Sequence, residues 1–304
     1  MKLRKRTWNF ENITFTTINT LILILLSALM VYPLLNTLAI SLNDGLDAVK
    51  GGIYIWPRMF SLRNYEIVLN MHTIYNAFFV SVAKMFVVTF TNILFTSLLS
   101  YSLSRREYIF RKPITILIVL TMYFDAGLIP NYLLIKDLNL INTFHAYWVP
   151  GIISAFNFIV IRTYMKTIPE SFIESAKLDG ASEFRIWWKI VMPLCKPTLA
   201  VIALFVAVGS WNSWLDTLLY ASGNQSLSTL QYELQKLLAS AMSSSVAQGG
   251  MAGAQAIAGT GGQVTTPMAL RAAITIVAAV PILCVYPFMQ RYFVVGLTIG
   301  GVKE

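Results

Sequence analysis

The sequence predicts an all-α polytopic membrane protein with six transmembrane helices. Three observations predict it. The 304 residues are 56% hydrophobic and only 12% charged, with a mean hydropathy of +0.64, where soluble domains carry about 25% charged residues. Apolar runs recur at the length of about 20 residues that a helix needs to cross a bilayer. The basic residues also alternate between dense and sparse connecting segments, as positive-inside topology requires.

Residues 1–15 are expected to be a cytoplasmic N-terminal segment. Met1-Lys-Leu-Arg-Lys-Arg6 has the charge of a signal peptide's first region, but the apolar stretch behind it is too long and no small-x-small cleavage pattern follows. It reads as the anchor of an uncleaved first span. The transmembrane domain then covers 16–292. Its spans are expected near 16–41, 75–103, 114–135, 147–166, 197–221 and 268–292. The first contains Leu21-Ile-Leu-Ile-Leu-Leu26 and the fifth Val201-Ile-Ala-Leu-Phe-Val-Ala-Val208. Pro33, Pro130, Pro281 and Pro287 fall in or near spans, where they kink helices without ending them.

Orientation follows from charge. With the amino terminus inside, the internal segments and adjoining span ends hold 16 of the 23 Lys and Arg residues. The outside loops hold five, and Lys84 and Arg271 lie in spans. Both termini and the 167–196 insert are therefore expected in the cytoplasm of a bacterial cell, whose inner or plasma membrane holds the chain. The net charge of +9 is spent on topology. It forms no single basic face, so nucleic acid is not an expected partner.

Two outside loops are long. Residues 42–74, rich in Asn, Asp, Gly and aromatics, look foldable. Residues 222–267 carry a helical stripe at Leu230, Leu234, Leu237 and Leu238 and then become Ala/Gly/Ser-rich through 239–263. No Gly-Lys-[Ser/Thr] follows these glycines, so an adaptable loop is expected rather than a phosphate loop. Cys195 and Cys284 are far apart, and His72 and His145 have no ligand-spaced partner. No metal site is expected, nor any catalytic residue.

The insert 167–196 is the most informative segment. Pro169 and Glu170 suit a helix start. Phe172, Ile173, Ala176 and Lys177 share one side, and Glu174 and Lys177 are spaced to pair weakly. Gly180 ends the helix, because glycine readily takes the left-handed conformation. Ser182 and Glu183 cap a second helix with an apolar stripe of Phe184, Trp187, Trp188 and Val191, and Pro193 and Pro197 mark the turn into the fifth span. Such a hairpin suits two uses equally: a knob for a soluble partner's socket, or an amphipathic element on the lipid surface.

The pattern Glu174-Ser-Ala176, three residues, Gly180, nine residues, Ile190-Val-Met-Pro193 resembles the EAA loop of ABC-importer permeases. Ser175 and Met192 replace that pattern's alanine and leucine. Leu128-Ile-Pro-Asn-Tyr-Leu-Leu-Ile-Lys-Asp-Leu-Asn-Leu-Ile-Asn-Thr143, Trp211-Asn-Ser-Trp-Leu215 and the tail Gln290 to Lys303 resemble the carbohydrate-uptake, maltose-G-like group. The resemblance runs from about residue 75 to the end. It implies a type I ABC importer permease fold and a subunit without enzyme activity, in the subgroup associated with complex oligosaccharides. The implied partners are a second homologous permease, two ATPase subunits that bind ATP and Mg, an extracellular solute-binding protein, an oligosaccharide substrate and membrane lipid. No cofactor is implied in this chain.

By the same resemblance, Glu174, Ser175, Ala176, Asp179, Gly180, Phe184, Trp187 and Pro193 are expected to couple to the ATPase. Glu174 would meet its basic residues, and Phe184 and Trp187 would fill its cleft. The tail 293–304, with Gly296, Leu297, Gly300 and Lys303, would reach between the ATPases, or else form a disordered cytoplasmic end. The 222–267 loop matches the position of an external scoop that enters the binding protein. Polarity alone nominates substrate-path residues: Asp125, Asn157, Trp211, Asn212, Trp214 and Asp216, together with Lys84, Asn92, Tyr123 and Tyr220. Buried polar groups in spans tend to face a cavity or a partner, although Asn also glues helices together. Two rival readings are an ABC permease for a non-sugar solute such as a peptide, and a self-sufficient secondary carrier, which predicts inverted repeats.

Overall fold

The computed structural model describes residues 10–124, 126–247, 257–258 and 264–299. In chain order the helices are α1 (Phe10–Ser41), α2 (Gly45–Ala48), α3 (Arg63–Asn70), α4 (His72–Ser104), α5 (Arg111–Leu120), α6 (Leu128–Asp137), α7 (Ala155–Met165), α8 (Glu170–Leu178) and α9 (Glu183–Ile186). They continue as α10 (Met192–Leu194), α11 (Lys196–Asn212), α12 (Leu215–Tyr220), α13 (Leu230–Ala247) and α14 (Pro267–Ile299). Ile257–Ala258 and Val264–Thr265 form a two-residue antiparallel pair, β1 and β2.

The chain divides into two compact units, Met1–Asn70 with Leu237–Val277 and Met71–Lys236 with Ala278–Glu304. In the first, the 42–62 segment is a folded lobe, as its polar composition suggested. Asp44 caps α2 by accepting from the Leu46 and Asp47 amides. Asn43 accepts from the Met59 amide at 2.7 Å, and Asn64 donates to the carbonyls of Ser41 and Asn43. Arg58 closes on Asp47 at 2.8 Å. That hydrogen bond, helped by Asn43, holds the Asp47 carboxyl down to about 2. Ala39, Ala48, Ile53 and Ala269 form a small core beneath the lobe.

Among the described residues, three helices are long and apolar enough to span a bilayer alone: Ile13–Ser41, His72–Ser104 and Pro267–Cys284. Helix α11, Lys196–Asn212, is long and apolar enough only when taken together with Glu183–Leu194, from which it is bent by 82°. The expected third and fourth spans are broken. Helices α5 and α6 flank a turn before Gly127, whose φ of +86° ends helical geometry. Helix α7 has 11 residues, about 16 Å of rise, because Pro150-Gly151 interrupts the chain ahead of it.

Irregular backbone at membrane depth needs partners within the protein, and α4 supplies them. Asn92 donates to the Gly151 carbonyl at 2.7 Å, Thr96 to Ile152 at 3.5 Å and Ser100 to Phe158 at 3.2 Å. The first two reach the irregular backbone at Gly151 and Ile152, and the third reaches a carbonyl inside α7. Asn157 joins the seam by donating to Asn92 Oδ1 at 2.9 Å.

A second repair sits where α11 stops at Asn212 and Ser213 turns extended. Lys84, 1% exposed, reaches the Ser213 carbonyl at 3.2 Å and Asp216 Oδ2 at 2.6 Å, with its ammonium 4.8 Å from the Tyr147 ring centre. The Tyr147 hydroxyl donates to the Leu227 carbonyl at 2.6 Å. Ser81 Oγ accepts from the Leu230 amide at 2.8 Å.

Candidate functional site

The 169–195 insert folds as the glycine-broken hairpin its sequence spells. Pro169, at φ −56° and ψ 131°, precedes α8, and Glu170 occupies the first turn. At the other end, Gly180 takes φ +73°. Its amide bonds to the Lys177 carbonyl at 3.0 Å, and the Ala181 amide bonds to Ala176 at 2.9 Å. This is the paired closure of a Schellman motif. A Cβ at Gly180 would meet nothing within 4 Å. The demand for glycine is therefore conformational, and an L side chain there costs about 1–2 kcal/mol.

The second arm changes register. After α9, residues Trp187–Val191 wind as a π-helix, and the Met192 amide bonds back to the Trp187 carbonyl. Pro193 lacks the amide that an α-helix would aim at Lys189, so the wider ring is the natural local solution. The arm then turns sharply at Cys195 into α11.

One face of the hairpin is fully occupied. Ile173, Ala176, Ile186, Trp187, Val191 and Cys195 pack into a core with Tyr101, Ile161, Met165 and Leu199. Burying one such aliphatic side chain stabilises by about 1.5–3 kcal/mol, so the hairpin is a rigid extension of α4, α7 and α11. Burial also pushes the Cys195 thiol up to about 12.

Charges clamp the same face. Lys177 binds Glu107 at 2.8 Å and Glu183 at 2.9 Å, and the Tyr101 hydroxyl donates to Glu183. Arg106 meets Glu170 at 3.1 Å. The expected Glu174–Lys177 pair gives way to these longer-range partners. Hydrogen bonds donated to Glu107 and Glu183 raise the Lys177 ammonium above its ordinary value. Burial pushes the Glu183 carboxyl up, but hydrogen bonds from Tyr101 and Lys177 outweigh it and hold the group below its usual range.

The opposite face is unspent. Phe172, Leu178 and Phe184 are 53%, 89% and 64% exposed, and Glu174, Ser175, Asp179 and Pro193 are exposed beside them. Trp187, expected in a partner's cleft, is instead 1% exposed in the chain's own core, its ring centre 5.2 Å from that of exposed Phe184 and tilted by 51°. Ala176 is likewise buried. The reason is packing: both side chains join the core that the hairpin shares with Tyr101, Ile161, Met165 and Leu199.

The expected substrate-path residues divide in the same way. Asn157 and Asp216 are committed to the α4 seam, and Trp211 is buried with its indole donating to the Ala278 carbonyl at 2.9 Å. Asn212 is exposed and accepts from Gln231 at 3.5 Å. Trp214 is half-buried. Asp125, Gly300 and Lys303 lie outside the described residues, and Gly296 and Leu297 fall in the last turns of α14. Among the described residues no cluster of His, Cys, Asp or Glu could hold a metal. Sequence reasoning missed Glu107 and Glu183 as the clamp, because only the fold brings them to Lys177.

Known proteins share this arrangement. The family described as the binding-protein-dependent transport system inner membrane component matches residues 12–299. The polygalacturonan/rhamnogalacturonan transport system permease protein YtcP of Bacillus subtilis is 34% identical over 92% of this chain and 95% of its own length. Protein LplC of the same organism is 33% identical over 95% of both chains. A chain from the crystal structure of a bacterial ABC transporter involved in importing the acidic polysaccharide alginate superposes with a TM-score of 0.81, at 24% identity, over 96% of this chain and 100% of that one. The likeness covers the spans, the insert and the type I importer permease fold expected from the sequence, and the chain belongs to the binding-protein-dependent transport system inner membrane components: it is a membrane transport subunit and not an enzyme.

Proposed function

We propose that this chain is one of two permeases in an ATP-driven importer of oligosaccharides, and that its hairpin transmits ATPase closure to the spans. One observation carries the coupling role. The hairpin's inner face is locked to three helices by packing and ion pairs, while its outer face leaves Glu174, Leu178 and Phe184 largely exposed. A rigid knob with an unspent apolar and acidic tip can transmit a push from a docked protein, and a rocking transition needs such rigid elements. Trp187 and Ala176 then anchor the knob from within, and Gly180 sets its angle.

The orientation follows the basic residues, with the hairpin and both termini in the cytoplasm. ATP and Mg belong to the two ATPase subunits, and an extracellular binding protein delivers the cargo. Helix α1, none of whose apolar window is buried in this chain, offers a surface to lipid or to the sister permease. The tail 293–304 reaches toward the ATPases, and the 222–267 segment faces the binding protein. The substrate class rests on the relative that carries polygalacturonan or rhamnogalacturonan, similar over 92% of the chain. Uronate-rich oligosaccharides are therefore the first cargo to test. Exposed Asn212 and half-buried Trp214 are the path residues left free of the α4 seam.

Deleting the gene should abolish growth on oligogalacturonides while sparing growth on their monosaccharides. Normal growth on every oligosaccharide tried would refute the cargo class. A single cysteine at Ser175 in a cysteine-free background should react with an impermeant maleimide in inverted vesicles only. Reaction in intact cells would refute the orientation.

A further inference from the structure

A cavity of about 330 Å³ opens where the end of α4, the start of α5, the end of α7 and the start of α8 converge. Half-buried Arg105, Arg111 and Arg162 and exposed Arg106, Lys112 and Lys166 line it. Its lining holds a single carboxylate, Glu170, already paired with Arg106 at 3.1 Å. Two of the other cations hydrogen-bond to neutral groups. Arg162 Nε donates to the Leu103 carbonyl at 2.9 Å, and Arg105 Nε donates to Ser104 Oγ at 3.1 Å. Their guanidinium planes lie over the rings of Phe158 and Tyr101.

Positive-inside topology asks for basic residues near span ends. It does not ask that Arg111, Lys112, Arg162 and Lys166 gather around one hollow with no carboxylate of its lining paired to them, which raises their mutual repulsion. A polyvalent anion removes that repulsion, and guanidinium forks match the oxygens of a phosphate group. The volume suits a small ligand, and basic pockets between span ends are where anionic headgroups lodge. We propose that this cavity binds a phosphate group, carried either by an anionic phospholipid of the adjoining leaflet or by a soluble phosphate ester. Bound there, the group bridges the 105–112 turn to Glu170's end of the hairpin and stiffens its foot.

The full-length chain, reconstituted in nanodiscs of phosphatidylcholine with or without phosphatidylglycerol, tests this by native mass spectrometry of retained lipid. Phosphatidylglycerol should be retained over phosphatidylcholine. Arg111→Gln with Lys112→Gln should weaken that retention by about tenfold or more, on the scale of two lysine–anionic lipid attractions. Lys189→Gln, on the hairpin away from the cavity, should not. If glycerol phosphate or inorganic phosphate instead raises the thermal midpoint in phosphatidylcholine discs, and the double variant removes the rise, the site stands and its ligand is soluble. If the double variant fails to fold, Arg111→Lys should lose part of the retention, because charge survives without the fork. Equal retention of both lipids with no response to phosphate would overturn the proposal. So would unchanged retention in the double variant with loss of ATPase co-purification, which would assign these cations to an acidic protein partner.

Discussion

The hairpin and the α4 seam are both polar intrusions in an apolar chain, yet they use their polar groups in opposite ways. Along α4, Lys84, Asn92 and Thr96 spend their side-chain hydrogen bonds and charge on backbone or side chains next to a break. On the hairpin, one face is spent and the other is left open. The difference separates glue from function. A polar group in a span that completes a broken helix is structural, whereas an exposed apolar and acidic tip on a rigid stem has no structural use. Residue type alone ranks Asp216 and Glu174 together as candidates; the partner each already holds tells them apart.

Breaking the seam should have the largest effect on stability. Lys84→Met leaves Asp216 without its cation at a largely buried site, and should destabilise by about 3–5 kcal/mol. Thermal unfolding of the purified chain reads this, and Lys84→Met with Asp216→Leu should recover most of the loss. No recovery would mean that the lysine serves something other than this pair.

Asn92→Leu leaves the Gly151 carbonyl and Asn157 amide without their partner, and should cost about 1–3 kcal/mol in the same assay. A neutral result would break the comparison, since it would leave the seam's hydrogen bonds without structural weight. Gly180→Ala should cost about 1–2 kcal/mol through the left-handed backbone alone. That loss belongs to the hairpin, so it should appear as faster proteolysis between α8 and α9 before the spans unfold.

The clamp gives a pH test. Glu183's pKa is depressed on folding, so its contribution is present above the ordinary carboxylate value near 4.5 and is lost as pH falls through the folded value. Lys177's is raised, so its contribution is present below 10.5 and is lost as pH climbs through the folded value. In a Cys284→Ser background, Cys195 beneath the hairpin should resist maleimide near neutral pH and become labelled after acid release of the clamp, assayed on return to neutral before refolding. Lys177→Ala should label at neutral pH. Equal labelling of both proteins would remove the clamp from the account.

Much of this was legible in the sequence. Glycine at 180, proline at 193 and the residue spacing between them specify the hairpin and its family. The lobe at 42–62 showed in its Asn and Asp content. The broken third and fourth spans were less visible. A hydropathy window averages Pro150-Gly151 into its apolar neighbours, while the hydrogen bonds that make the break tolerable come from α4, 56 and 59 residues away in sequence. The inward turn of Trp187 was hidden because a helical wheel marks an apolar stripe without saying whether this chain or a partner covers it, and here the chain's own core does. The Lys177 partners were hidden by distance, because Glu107 is 70 residues removed.

The central claim is that the hairpin's outer face is dispensable to the fold and required by a partner. Glu174→Arg with Phe184→Ala tests it most directly, because both side chains are exposed. Thermal stability should change by no more than about 0.5 kcal/mol, while ATPase co-purification and oligosaccharide uptake are lost. Full uptake with normal ATPase co-purification, or a fold that fails with the substitution, would contradict it.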